Sequence, residues 1–268
     1  MSPARRLQAQ LMLESSVEAG IPDDTRKPYV DAVNAGVATW EKAWEETQAE
    51  GNLLFVHEHA QFATSIDSAL EYVRHAWNSD APSKPINFTM IPDNLLLKPG
   101  TAVILTTRHP AWVIPAVCRA MGHIEGDANR SNLIFVCNMH WQRALYDWYT
   151  QNGVKAVVVE AEDYMTSPDL VRKLCSEVGL DPERALFSWP RATEEEKASM
   201  RPVVVHLLHS LLNSTGIIPG KANPPPILPD EEVKWKQEFG EERARLIKEL
   251  VDAAMPDYEY LRARKLTL

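Results

Sequence analysis

The chain has 268 residues, enough to bury one sizeable core, and its 45% hydrophobic and 24% charged content is that of an ordinary soluble globular protein. A net charge of −9 excludes a nucleic-acid or anionic-membrane surface as the main partner, because both call for a basic face; it leaves room for a local basic pocket. Leu11-Met12-Leu13 is too short for a signal-peptide core and no apolar run reaches about 18 residues, so neither export nor a membrane span is expected. Cys118, Cys137 and Cys175 show neither a disulfide framework nor zinc spacing, which makes the cytoplasm the expected compartment.

In chain order, the first predicted element is a helix from Tyr29 to Gln48, with Val30, Val33, Val37, Trp40 and Trp44 at steps of three and four. Leu53-Leu54-Phe55-Val56 reads as a short buried strand ending on His57-Glu58-His59. A second helix is expected from Ser65 to Trp77, with Phe62, Ile66, Leu70, Val73 and Trp77 on one face, and then a loop over Asn78–Pro92. Thr101–Thr107 is a second buried strand, closed by Arg108-His109-Pro110 and followed by a helix through Val113, Val117 and Met121. Asn138 is a candidate cap for a helix burying Trp141, Leu145, Trp148 and Tyr149. Val154–Val159 reads as a third strand. Ser167, Pro168 and Gly179 mark the start and stop of the next helix. Val203–Leu212 is an apolar helix, residues 223–229 a stiff proline-rich linker, and a long helix from Asp230 to Ala254 buries Phe239, Leu246, Ile247, Leu250 and Val251. Strands alternating with helices predict a single α/β domain over residues 1–268, built on a mainly parallel sheet flanked by helices.

Ligands of such sheets bind beyond the strands' carboxyl ends. Two of the three predicted strands carry basic or imidazole groups there, and that convergence is the main pointer to a site. His57 and His59 would share a face, with Glu58 on the other, and two imidazoles near neutral pKa can serve as base and acid. They could also ligate a metal, but no third ligand is visible, and a histidine simply hydrogen-bonded at a loop start is the structural reading. Arg108 can grip a phosphate, sulfate or carboxylate bidentately, or can pair with an acidic residue at its strand end. His109 joins it as a candidate substrate-binding residue. Glu160, Glu162 and Asp163 follow the third strand; capping a loop or facing solvent is the favoured reading over acid–base work. His206 and His209, one turn apart in an apolar helix, are expected in the core or facing a groove rather than on a metal.

Several segments stand out together: Leu-Leu-Phe-Val-His-Glu-His-Ala at 53–60, Leu-Thr-Thr-Arg-His-Pro at 105–110 and Glu-Asp-Tyr-Met-Thr-Ser-Pro at 162–168. Leu-Cys-Ser-Glu-Val-Gly-Leu at 174–180, Trp189 and Asp-Tyr-Glu-Tyr-Leu at 257–261 complete the set. In order and spacing they resemble the sulfotransferase-like proteins of fungi, often encoded beside secondary-metabolite pathways. The resemblance, over about residues 50–268, implies a sulfotransferase-like fold of the P-loop NTPase type. Members transfer a sulfuryl group from 3′-phosphoadenosine 5′-phosphosulfate (PAPS), held by a P-loop-like turn, a Lys-x-His pair and an Arg followed eight residues on by a Ser. By that resemblance His59 stands for the base and Arg108 for the 3′-phosphate Arg, but His57 replaces the Lys and Ala116 the Ser. Nothing before Leu53 reads as the strand, glycine-rich turn and helix of the donor loop.

Three losses in one donor site imply that PAPS use is gone. The expectation is therefore an enzyme of natural-product biosynthesis working without a cofactor or metal on an apolar, oxygenated small molecule. Its chemistry would be cyclisation, isomerisation, dehydration or hydrolysis. His59 would be the base, His57 or Glu58 its partner, and Arg108 with His109 the substrate-binding pair. A PAPS-dependent transferase whose donor loop lies outside this chain, and a non-catalytic binding or scaffold protein, are the rival readings. The missing central strand would leave sheet edges bare, and homodimerisation or a rearranged N-terminal helix is the expected cover.

Overall fold

A computed structural model describes residues 23–75, 86–125, 130–218 and 220–268. Trp77, most of the Asn78–Pro92 loop and the chain before residue 23 lie outside them. In chain order the main elements are α1 (Asp23–Ala49), α2 (Ala60–Ala63), α3 (Ile66–Arg74), α4 (Asp93–Leu96), β1 (Ala102–Thr107), α5 (Pro110–Glu125), α6 (Arg130–Val136) and α7 (His140–Gln151). They continue as β2 (Lys155–Glu160), α8 (Ala161–Thr166), α9 (Pro168–Glu177), α10 (Glu194–Ser199), α11 (Pro202–Leu207), α12 (His209–Leu212) and α13 (Leu228–Arg262). Tertiary contacts cluster into two units, residues 23–101 with 130–155, and residues 102–125 with 156–268.

The first unit is helical. Its core joins Ile66, Ala69 and Leu70 of α3 to Leu133 of α6 and to Trp141 and Trp148 of α7, all buried. Ser65 starts α3 by accepting the Ser68 amide. Asn138 stands one residue before the cap position of α7, which Met139 occupies without a side-chain cap bond; its Oδ1 accepts the His140 amide at 3.0 Å, and its Nδ2 donates to the carbonyls of Ile134 and Phe135. Helix α1 is tied down at its beginning, where the Tyr29 hydroxyl accepts the Ile66 amide and Arg26 grips both oxygens of Asp67 at 2.7 and 2.9 Å. Farther along, Val33, Val37, Trp40 and Trp44 are only half-buried. The stretch Arg130–Val136, left unassigned by periodicity, is a buried helix.

The second unit holds the sheet, which is smaller than expected: β1 and β2, side by side and parallel. The predicted strand at Leu53–Val56 is not one. Those residues are irregular, and all but the half-buried Leu54 are exposed, with Leu53 at 74% and Phe55 at 82%. A short apolar run cannot by itself distinguish a strand from another segment; a strand exists only where a neighbour completes its ladder, and among the described residues none does. The chain's end adds a fragment to the sheet instead, since Lys265 bridges in parallel to Val158 and the Leu266 amide donates to the Val158 carbonyl at 2.8 Å.

Helix α13 packs along α5 and buries Ile247, Leu250, Val251, Tyr258 and Leu261. It starts earlier and ends later than the apolar pattern predicts, and it bends at Gly240, whose φ of 78° and ψ of 167° are open essentially only to glycine. Ser167 caps α9 as predicted, accepting the Leu170 amide, with Pro168 at the first position and Gly179 at φ 77° beyond the end. The predicted Val203–Leu212 helix is broken at Leu208 into α11 and α12. One apolar face cannot persist across that break, so His206 and His209 are exposed rather than in a core. No helix among the described residues is long and apolar enough to cross a membrane.

Candidate functional site

The predicted residues fall into two sets: His57, Glu58 and His59 in the first unit, and Arg108 and His109 in the second. The first set sits on the irregular segment that enters α2. All three residues are exposed. The His57 and His59 rings meet edge to face, 5.3 Å between centroids, although no strand pleat aligns them. His59 starts α2, its carbonyl accepting the amides of Phe62 and Ala63, and its ring lies 5.6 Å from that of Phe62. Glu58 turns back so that its Oε1 accepts the His59 amide at 2.8 Å. The groups available there are two neighbouring imidazoles and a carboxylate, all exposed.

The second set is more built. The sheet delivers two strand ends to one place, Thr107 at the end of β1 and Glu160 at the end of β2, which is where ligands of parallel sheets bind. Arg108 leaves β1 with its guanidinium anchored twice. Its Nε donates to Glu162 Oε1 at 2.7 Å, and Nη2 donates to the Lys221 carbonyl at 2.8 Å. Pairing with an acidic residue at the strand end is thus what this side chain does here. Nη1 has no partner among the described residues.

His109 is half-buried and opens α5. Its carbonyl accepts the amides of Trp112 and Val113, and its Nδ1 accepts the Ala111 amide at 3.1 Å. Its ring stands edge-on to that of Tyr258, 5.1 Å away. Burial holds the His109 imidazole below the usual histidine pKa, against the pull of Glu259, Glu160 and Glu162. The Thr107 hydroxyl is buried without a hydrogen-bond partner among the described residues.

Glu160 is the residue that sequence reasoning missed. Expected to cap a loop or face solvent, it is 8% exposed, and its two oxygens are taken by different donors. The Tyr258 hydroxyl makes a very short bond to Oε1, and Lys265 Nζ reaches Oε2 at 2.6 Å. Lys265 also pairs with Asp163 Oδ2 at 2.6 Å. Burial alone would raise the Glu160 carboxyl; the bonds from Lys265 and Tyr258 outweigh it and hold the group below its ordinary value. Burial and that same bond push the Tyr258 phenol well up, so it stays a donor. The signal lay in Asp-Tyr-Glu-Tyr-Leu at 257–261, but nothing local says that its tyrosine meets a glutamate 98 positions earlier. Among the described residues no group of three or more His, Cys, Asp or Glu is placed to hold a metal ion.

Comparison with known proteins supplies a second line. The chain is 30% identical to sulfotransferase ppzF of Metarhizium majus (strain ARSEF 297) and to sulfotransferase ppzF of Metarhizium rileyi (strain RCEF 4871). In each case the similarity covers 91% of this chain and 78% of the relative. No family model matches the chain, and no solved structure matches it at significance.

Proposed function

The chain belongs to the fungal sulfotransferase-like family, and from that membership we propose an enzyme that binds a small, apolar, oxygenated metabolite and works on it by acid–base chemistry without PAPS. The observation that carries this reading is the state of Arg108. At the position where the resemblance places the 3′-phosphate Arg, the guanidinium is committed to Glu162 and to the Lys221 carbonyl. A carboxylate at 2.7 Å cancels much of the charge a dianionic phosphate would seek and repels the phosphate directly. By the same resemblance, Ala116 in place of the Ser removes a hydrogen bond and His57 in place of the Lys removes a fixed positive charge from the family's donor-binding pattern. Among the described residues no strand, glycine turn and helix precede Leu53; residues 23–49 are one helix.

In this reading the first unit supplies His59 as the base with His57 or Glu58 as its proton partner, and Arg108 and His109 are the second unit's candidate substrate-binding residues. Substituting His59 by Ala is expected to abolish turnover of the true substrate, and full retained activity would remove His59 from the mechanism. Calorimetry with 3′-phosphoadenosine 5′-phosphate tests the cofactor side, and no binding is the expected result. The name of the two relatives favours a second reading, sulfuryl transfer from PAPS to a hydroxyl or amine. Micromolar binding of the bisphosphate would decide for it.

A further inference from the structure

We propose that His109 is a fixed-tautomer hydrogen-bond donor: its Nδ1 is taken up by the Ala111 amide, so the group it offers to a carbonyl, enolate or carboxylate oxygen of the substrate is Nε2–H. The inference deepens the reading that this strand end binds substrate, and it rests on that reading. The geometry begins with the backbone. An amide N–H can only donate, so a ring nitrogen 3.1 Å from the Ala111 amide must be the one carrying the lone pair. A neutral imidazole has a single proton, which then resides on Nε2. Such a ring cannot take up a proton through Nε2, and this separates His109 from the acid–base role given to His59.

Two further features hold the ring in this state. Tyr258 packs against it edge-on and is itself locked by its bond to Glu160. The charged groups facing it are mixed: Glu259, Glu160 and Glu162 favour the cation, Arg262 opposes it, and burial outweighs the carboxylates. The same strand end carries a second polar group without a partner among the described residues, the Thr107 hydroxyl, whose residue is 4% exposed. Buried hydroxyls are nearly always satisfied, so an unsatisfied one two residues before a fixed donor marks a place suited to a polar ligand atom. Arg108 Nη1, unpartnered among the described residues and on a guanidinium pinned at two other nitrogens, adds a further N–H donor at that strand end.

Nitrogen-15 spectra of the full chain labelled at histidine test the assignment, with His109→Asn identifying the resonances. At pH 7 the expected pattern is a protonated Nε2 and a lone-pair Nδ1, with conversion to imidazolium only below about pH 6.5. A protonated Nδ1, or an imidazolium at pH 7, overturns the proposal. Acetate, added as a carboxylate probe, is expected to shift the Nε2–H resonance saturably, and absence of any saturable shift reduces His109 to a helix cap. Asn keeps an acceptor for the Ala111 amide, so H109N should melt within a few degrees of wild type yet lose the acetate response. Should the variant unfold, the wild-type spectra still decide the tautomer. A wrong tautomer leaves the PAPS-independent reading intact, whereas binding of 3′-phosphoadenosine 5′-phosphate would overturn that reading and leave the tautomer result standing.

Discussion

Glu160 shows how much one buried carboxylate can organise. Its oxygens receive Tyr258 from α13 and Lys265 from the chain's end, so a single side chain ties β2 to two distant segments. Tyr258→Phe deletes one charge-assisted bond and is expected to cost about 1.5–3 kcal/mol in urea unfolding. Two ionisations shape the pH dependence, and both act in the same direction. His109 has a lowered pKa in the fold, so the unfolded chain binds more protons in the window just below pH ~6.5, and stability is lost there as pH falls. Glu160 also has a lowered folded pKa, so its contribution is complete above pH ~4.5 and lost as pH falls through the folded value. Urea unfolding from pH 7 down to pH ~4 should therefore show two successive declines, and H109N should lack the first.

Elements here end where local chemistry ends them, and two ends make sharp tests. Ser167 is extended at φ −124° and ψ 99° and accepts the Leu170 amide, leaving α9 with one fewer orphan donor. Ser167→Ala should cost about 1 kcal/mol and lower the melting temperature by roughly 2–4 °C. Gly240 has nothing near the place a Cβ would occupy, so the obstacle to a side chain there is the backbone angle and not crowding. Gly240→Ala should destabilise by about 1–3 kcal/mol in urea unfolding, unless α13 straightens, which circular dichroism would register as added helix.

For the molecule as a whole, the segment from Leu53 to His59 combines apolar residues with exposure at every position but Leu54. Phe55→Ser removes a side chain 82% exposed and is expected to change stability by no more than about 0.5 kcal/mol. A larger loss would show the segment to be covered. The strands β1 and β2, the capped α9 and the core aromatics Trp141 and Trp148 were legible in sequence, because each shows in a local pattern of residues. The Leu53–Val56 strand, the unbroken Val203–Leu212 helix and the solvent-facing Glu160 were misjudged, because each depends on what lies opposite.

Sequence alone determined the family and the place of Arg108 and His109 at the end of β1. These are identities and spacings, and no folding is needed to read them. Only the tertiary structure decided that Arg108 is already paired with Glu162, that Glu160 is buried under Tyr258 and Lys265, and that His109 turns its lone pair to the Ala111 amide. The first two join residues 54 and about 100 positions apart. The third is local but depends on the rotamer that packing against Tyr258 selects. Such pairings cost chain entropy that only the assembled core repays, so no local pattern could have announced them.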